Sequence, residues 1–302
     1  MVGRIVEIAS DYRNLSLYRG FLLIKDSKGE RVELGRVPID DIDALIANAH
    51  GLSYSNNLLV ALAEQGAPFV LCGANHNPVG VLWPFGGNYE TSRRINAQTD
   101  AKRPVKKRLW ASIVRSKLEQ QGCVLEAIGE SDRFIHNLIR KIRSGDPENI
   151  EAQAARRYWT LLFGSEFRRN RQAEDFNGLL NYGYTVLRAS VARAVIAAGL
   201  HPAIGLHHSN ASNPMLLVDD LIEPFRPLID LGVYQLVREG EAQVNADTKR
   251  FLVRLLYQDM LTESGVTPLS VCAQKLAVSL AQVFLGEREK LELPLPSEPF
   301  AM

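Results

Sequence analysis

The chain has 302 residues, of which 46% are hydrophobic and 23% charged, with a formal net charge of +1. That is the balance of a globular protein with one large or two ordinary domains, and the whole-chain charge does not announce a nucleic-acid partner, so any basic surface must come from local clustering. Cys72, Cys123 and Cys272 are odd in number and form no CxxC pair, so free thiols in a reducing cytoplasm are expected rather than a disulfide framework or a zinc site. The N-terminus lacks the order of a signal peptide, and no apolar run approaches the ~20 residues of a membrane span. A soluble, intracellular protein is expected.

In chain order, the first segments read as strands. Arg4 to Ala9 alternates, Gly20 to Lys25 leads into a turn at Asp26-Ser-Lys-Gly29, and Arg31 to Leu34 returns. Ile39 to Ile46 reads as a turn into a strand, Asn56 to Gln65 as a short helix and Pro68 to Leu71 as another strand. Gly, Asn and Pro crowd the stretch from Gly73 to Asp100, which marks a linker or exposed loop. Long amphipathic helices follow, over Leu109 to Gln121, Asp132 to Arg143, Glu148 to Phe163, Gly178 to Ala198 and Ser270 to Phe284. The expected class is α+β, with a small N-terminal β-rich domain and a larger all-α C-terminal domain. The boundaries are 1–75 for the β domain, 76–104 for the linker and first helix region, 105–290 for the helical domain and 291–302 for a proline-containing tail.

Three segments of the helical half carry polar groups at positions that face packing. In the first, Asp146 caps a helix with Pro147 at its first position, and Glu151 shares a face with Ala155 and Tyr158. An unpaired carboxylate there is costly, so a salt bridge to Arg156 or Arg157 competes with a catalytic role. The second is the loop Gly205-Leu-His-His208, where two adjacent histidines do not easily face one ion. The third runs from Asn213, with Asp219 and Asp220 four and three residues before Glu223 on a helix. Clustered carboxylates there need a cation or Arg226, and Pro224 and Pro227 disturb the helix just after. Taken singly, each segment also reads as ordinary structure. Together, carboxylate oxygens and an imidazole suit Mn²⁺ or Mg²⁺, the hard cations of phosphoryl transfer. No GxSxG, Walker A, HExxH or GxGxxG motif offers another chemistry.

Local basic clusters suit phosphates. Lys102, Arg103, Lys106, Lys107, Arg108, Arg115 and Lys117 run without an intervening acid, and Arg168, Arg169 and Arg171 form a second group with Arg156 and Arg157 nearby. Each also reads as a solvated helix face. Asn177 and Asn181, four apart on one face, are expected to support the site.

Four sequences occur in order: Asp175-Phe-Asn-Gly-Leu-Leu-Asn-Tyr-Gly-Tyr184, Ala197-Ala-Gly-Leu-His-Pro202, Gly205-Leu-His-His208 and Asp220-Leu-Ile-Glu-Pro-Phe-Arg-Pro227. With them the chain resembles CRISPR-associated protein 1, the integrase that inserts new spacers into CRISPR arrays, over essentially its whole length. The family holds its metal on a glutamate ahead of an Ala-Ala-x-x-Tyr element, on the histidine closing a Gly-x-x-His turn, and on an acid three after the Asp of Asp-Leu. The resemblance therefore implies Glu151, His208 and Glu223 as metal ligands and catalytic residues, with His207 as second choice and Asp220 and Tyr158 in support. Ala152 stands where many relatives have Gly, and Glu223 where others carry Asp; a glutamate still supplies carboxylate oxygens. The compact length and the Glu-Pro-Phe-Arg-Pro wording look most like the type II branch. The resemblance further implies Mg²⁺ or Mn²⁺ as cofactor, metal-dependent transesterification and endonuclease activity, and double-stranded DNA, both prespacer and repeat, as substrate. It also implies a homodimer, a dimer of CRISPR-associated protein 2 as partner, and the type II effector nuclease as a further one.

Overall fold

The computed structural model describes residues 4–28, 32–73, 78–82, 84, 90–170 and 175–297. The chain divides into two compact units, Met1–Glu90 and Thr91–Met302. The class is α+β, as expected.

The first unit contains two sheets. β1 (Arg4–Ile8) lies parallel to β5 (Ile42–Ala47), which lies parallel to β7 (Phe69–Cys72), and β8 (Pro78–Leu82) closes that sheet antiparallel to β7. The second sheet has the order β4 (Glu33–Pro38), β3 (Phe21–Asp26), β2 (Arg13–Tyr18), β6 (Ser53–Tyr54). The turn between β2 and β3 is Arg19-Gly20, both at positive φ, the geometry that matches strand twist in a two-residue hairpin. Leu15, Leu22, Ile42, Leu45 and Phe69 from the strands pack with Leu58 and Leu62 of α1 (Asn56–Glu64) as one apolar cluster. Ser55 caps α1 by accepting from Leu58 N.

Three features go beyond the elements expected. Arg13 to Tyr18 is a central strand. The stretch from Gly73 to Asp100, whose composition reads as a linker or exposed loop, carries β8 and α2 (Thr91–Asp100), a helix within the expected linker and first helix region 76–104, and in α2 the buried Gln98 donates to the carbonyls of His201 and Ile204. The helical half is interrupted by an antiparallel hairpin of β9 (Asp259–Thr262) and β10 (Gly265–Pro268).

The second unit is built on α3 (Arg103–Ala127), followed by α4 (Arg133–Ile139), α5 (Ile150–Phe163), α6 (Asn177–Ala197), α7 (Leu216–Leu221), α8 (Arg226–Arg238), α9 (Ala246–Arg254) and α10 (Leu269–Leu285). α6 is buried along most of its length, from Leu179 to Ile196, and packs on α8, α9 and α10. No helix among the described residues is long and apolar enough to cross a membrane.

Candidate acidic and histidine centre

α3 changes character along its length. Lys107 and Arg108 are exposed, but Ile113, Val114, Lys117, Leu118 and Gln121 follow at helical spacing and are all buried. Lys117 therefore leaves the basic surface run to which its sequence position assigned it. Its side chain is 8% exposed, and its Nζ lies 2.6 Å from Glu151 Oε1 and 2.5 Å from Glu223 Oε2. An isolated buried ammonium is strongly disfavoured, so the lysine requires these two carboxylates. Burial lowers the Lys117 pKa, but Glu223 and Glu151 outweigh it and the net shift is upward.

Glu151 occupies the first turn of α5, at the positive end of the helix dipole, which favours a negative charge. The helix does not start as expected at Asp146-Pro147. Asn149, in the left-handed region, is the cap and accepts from Ala152 N, while the buried Asp146 accepts from Ile150 N (2.8 Å) and Glu151 N (3.0 Å). The two caps together satisfy the first turn and fix where Glu151 points. Its ion pair is with Lys117 rather than with Arg156 or Arg157, which are exposed.

Glu223 sits in the 3-10 turn Glu223-Pro224-Phe225 between α7 and α8. Pro224 and Pro227 have no N–H to continue an α-helical ladder, and the tight turn directs Glu223 inward, where the residue is 3% exposed. Arg226 Nη1 donates to Glu223 Oε1 at 2.8 Å. Burial pushes the Glu223 carboxyl up, but Arg226 and Lys117 more than reverse this and leave it below the usual range.

Asp219 and Asp220 do not join Glu223 in one acidic face. Successive helical residues diverge by about 100°, and these two part company. Asp219 pairs with Arg188 (2.7 Å) and accepts from Asn213. Asp220, with no exposed surface, accepts from the backbone amides of Leu206 (2.6 Å), His207 (3.2 Å) and His208 (3.2 Å), and pairs with His208 Nδ1 at 2.7 Å. Successive amides converging on one carboxylate form an anion nest that fixes the loop. Gly205 is required there, because a Cβ would meet His208 O at 2.9 Å and Leu216 Cβ at 3.0 Å.

The two histidines are thereby distinguished. His207 stacks on Trp110 of α3 with ring centroids 4.3 Å apart and planes at 2°, whereas His208 meets the same indole edge-on at 5.7 Å. With Nδ1 engaged by Asp220, His208 has Nε2 left to coordinate or exchange a proton. Its pKa is raised, chiefly by the hydrogen bond to Asp220, with burial acting against it. Trp110 and Lys117 are seven residues apart on one face of α3, so a single helix supplies both the histidine platform and the buried cation. Glu151, His208 and Glu223 do not themselves close into a tight ligand set. Among the described residues, the group of acidic and histidine ligand atoms lying within 4.8 Å of one another is Glu126, Asp132 and His136, near the α3–α4 junction.

Beside the centre lies a cavity of about 310 Å³, lined by Lys117, Glu151, Ala152, Trp159, Arg169, Tyr184, Arg226 and Asp230 among others. Asn177 and Asn181 bear on it indirectly: their side-chain oxygens accept from Arg169 Nη1 (2.9 Å) and Nη2 (2.7 Å), aiming that guanidinium across Tyr184. Arg226 lies over the same ring, 4.6 Å from its centroid. Tyr184 OH donates to the buried Asp230, whose carboxyl burial pushes up to about 7 against the opposing effects of Tyr184 and Arg226. Tyr158 is fully buried. Of the expected phosphate-binding residues, Lys107, Arg108, Arg156, Arg157 and Arg168 are exposed and Lys106 and Arg169 half-buried; Arg171 lies outside the described residues. Sequence alone gave Lys117, Trp110, Tyr184 and Asp230 no role at this centre. Lys117 carried a legible signal, a lysine inside the apolar stripe of its helix.

Fold and centre together define a two-unit α+β protein whose helical unit gathers two carboxylates, an anchored histidine and a basic cavity. A family model described as CRISPR associated protein Cas1 matches residues 7–256, and the chain belongs to that family. Among its relatives is the CRISPR-associated endonuclease Cas1 of Neisseria meningitidis serogroup C, 36% identical over 286 residues, covering 93% of this chain and 92% of the relative. The fold is similar to that of a casposase bound to integration product, with a TM-score of 0.81 at 19% identity, covering 99% of this chain and 94% of that one. It is also similar to part of a chain in a Cas6-RT-Cas1–Cas2 complex, with a TM-score of 0.76 at 16% identity, covering 98% of this chain and 36% of that one.

Proposed function

We propose that this chain is a CRISPR adaptation integrase and endonuclease that joins the 3′-hydroxyl of a prespacer DNA to a phosphodiester at the edge of a CRISPR repeat. The attacking oxygen forms one bond to phosphorus, the bond from that phosphorus to the 3′-oxygen of the flanking nucleotide breaks, and that oxygen leaves carrying the proton of the attacking hydroxyl. One phosphodiester replaces another, so no external energy source is needed. Water in place of the hydroxyl gives hydrolysis at the same centre, in keeping with the endonuclease name of the relatives.

The observation that carries the reading is the ammonium of Lys117 held between Glu151 and Glu223, which marks a place where this fold stabilises a cation. Two carboxylates and the Nε2 of His208 are a donor set that fits Mg²⁺ or Mn²⁺, held by Glu151, Glu223 and His208. Such an ion supplies Lewis-acid stabilisation of charge developing on the phosphate. Asp220 orients the His208 ring through Nδ1. Arg169, fixed by Asn177 and Asn181, and Arg226 present guanidinium groups suited to non-bridging phosphate oxygens. The exposed Lys107, Arg108, Arg156, Arg157 and Arg168 hold the DNA backbone without reading its sequence. A homodimer acting with a Cas2 dimer, and the type II effector nuclease as a further partner, belong to the same reading; a solved neighbour's own assembly includes Cas2.

The test offers the protein and a Cas2 dimer a supercoiled plasmid bearing a repeat, a short duplex and Mg²⁺ or Mn²⁺. Joined product that disappears with Glu223→Gln is expected. Nicked plasmid with no joined product would remove the integrase reading and leave a nuclease.

A further inference from the structure

The carboxylates of Glu151 and Glu223 are bridged by a cation that belongs to the chain itself. Lys117 Nζ is within 2.6 Å of the first and 2.5 Å of the second. A divalent ion on the same carboxylates and an ammonium between them compete for the same lone pairs and repel one another at contact distance.

The two carboxylates are not held alike. Glu223 has a second anchor in Arg226 Nη1 at Oε1, on the oxygen that Lys117 does not contact. For Glu151, Lys117 is the ion-pair partner among the described residues. Departure of Lys117 therefore leaves Glu223 tethered and frees Glu151 to adjust. Lys117 has somewhere to go, since it lines the adjoining cavity, with Asp230 and Tyr184 also on the wall. Its four-carbon stem carries a flexible point charge suited to such a move.

We propose that Lys117 is the resident counter-cation of this centre: it holds Glu151 and Glu223 together in the ion-free protein and is displaced into the cavity when a divalent ion binds. The inference rests on the assignment of Glu151 and Glu223 as ion ligands. Lys117 is then a positioning residue that sets the threshold for ion uptake, and the centre is kept neutralised and folded until an ion arrives.

Calorimetric titration of Mn²⁺ into the full-length protein without DNA tests this, comparing wild type with Lys117→Met. The variant is expected to bind Mn²⁺ on the order of tenfold or more tightly than wild type, because no internal cation must be displaced. Its ion-free melting temperature should fall, and saturating Mn²⁺ should recover it. Equal or weaker binding by the variant overturns the role of Lys117 while leaving the ligand assignment standing. Absence of Mn²⁺ binding in both proteins overturns the ligand assignment, and the inference with it. Should Lys117→Met not fold, a crystal structure of the wild type with Mn²⁺ decides. Nζ must have left the space between the two carboxylates; Nζ still bridging them beside a bound ion refutes the proposal.

Discussion

Asp220 and His208 form one unit: the carboxylate takes the imidazole Nδ1 at 2.7 Å while the backbone amide of the same histidine closes on the same oxygen. This bond is the main cause of the raised His208 pKa. A ¹⁵N NMR titration should give His208 a midpoint above 6.5, and Asp220→Asn should lower it. A raised histidine stabilises the fold fully below its unfolded pKa and loses that contribution as pH rises through the folded value. The stability gap between wild type and Asp220→Asn due to this pair should therefore shrink above about pH 6.5. Mn²⁺ affinity should weaken as acid protonates Nε2.

Gly205→Ala places a methyl group against backbone at His208 O and against Leu216 Cβ, neither the end of a flexible side chain. Overpacking of this kind costs about 1–3 kcal/mol. Urea unfolding should register that loss, and strand joining should drop with it, because the shifted carbonyl belongs to the candidate ligand.

Replacing Glu223 has two effects that a single assay would merge. Glu223→Ala leaves Lys117 and Arg226 in the interior with one partner removed, and breaking a buried pair costs about 3–5 kcal/mol. Glu223→Gln keeps the shape and a hydrogen-bonding oxygen, so its unfolding midpoint should stay closer to wild type. Joining activity should be absent in both. A Gln variant that retains joining would show that the negative charge of Glu223 is dispensable for the reaction and would remove it as an ion ligand.

Asp230 gives the opposite pH signature from a surface carboxylate. Its folded pKa of about 7 lies above the ordinary value of 3.8, so between these values the unfolded chain is ionised where the folded one is not. Stability from this group is greatest at low pH, falls as pH rises through that window, and is flat above it. Asp230→Asn removes the dependence, so stability relative to wild type should rise from about pH 5 to about pH 8 in urea unfolding.

Arg156 and Arg157 are exposed on the helix that carries Glu151. Alanine at both should leave unfolding within about 0.5 kcal/mol of wild type. Duplex binding should weaken, and its dependence on log salt should become shallower by about 0.9 for each DNA phosphate that these arginines no longer neutralise.

The two-part architecture and the helices around α5, α6 and α10 were legible because their apolar residues recur at helical spacing. β2 was not, because Arg13-Asn-Leu-Ser-Leu-Tyr18 is half polar and its hairpin turns on Arg19-Gly20 rather than on a common Asn-Gly or Asp-Gly pair. The hairpin of β9 and β10 is too short for periodicity to separate it from the helices around it. At the centre, motif order implied Glu151, His208 and Glu223, but the parting of Asp219 from Asp220 depends on which neighbours each meets. Lys117 shows the limit most clearly. It stands in a run of basic residues, and that run masks the one signal to the contrary, its place beside Ile113, Val114 and Leu118 in the apolar stripe of α3.

The residues of the bridge are far apart along the chain: Lys117 and Glu151 precede the histidine loop, and Glu223 with Arg226 follow it. This imposes an order on assembly during synthesis. A nascent chain that has emerged only as far as the histidine loop holds the lysine and one carboxylate, but neither the second carboxylate nor its arginine. The bridge of Lys117, Glu151, Glu223 and Arg226 does not exist until translation has passed Arg226 and α7 and α8 have docked. A ribosome stalled earlier releases a fragment without it.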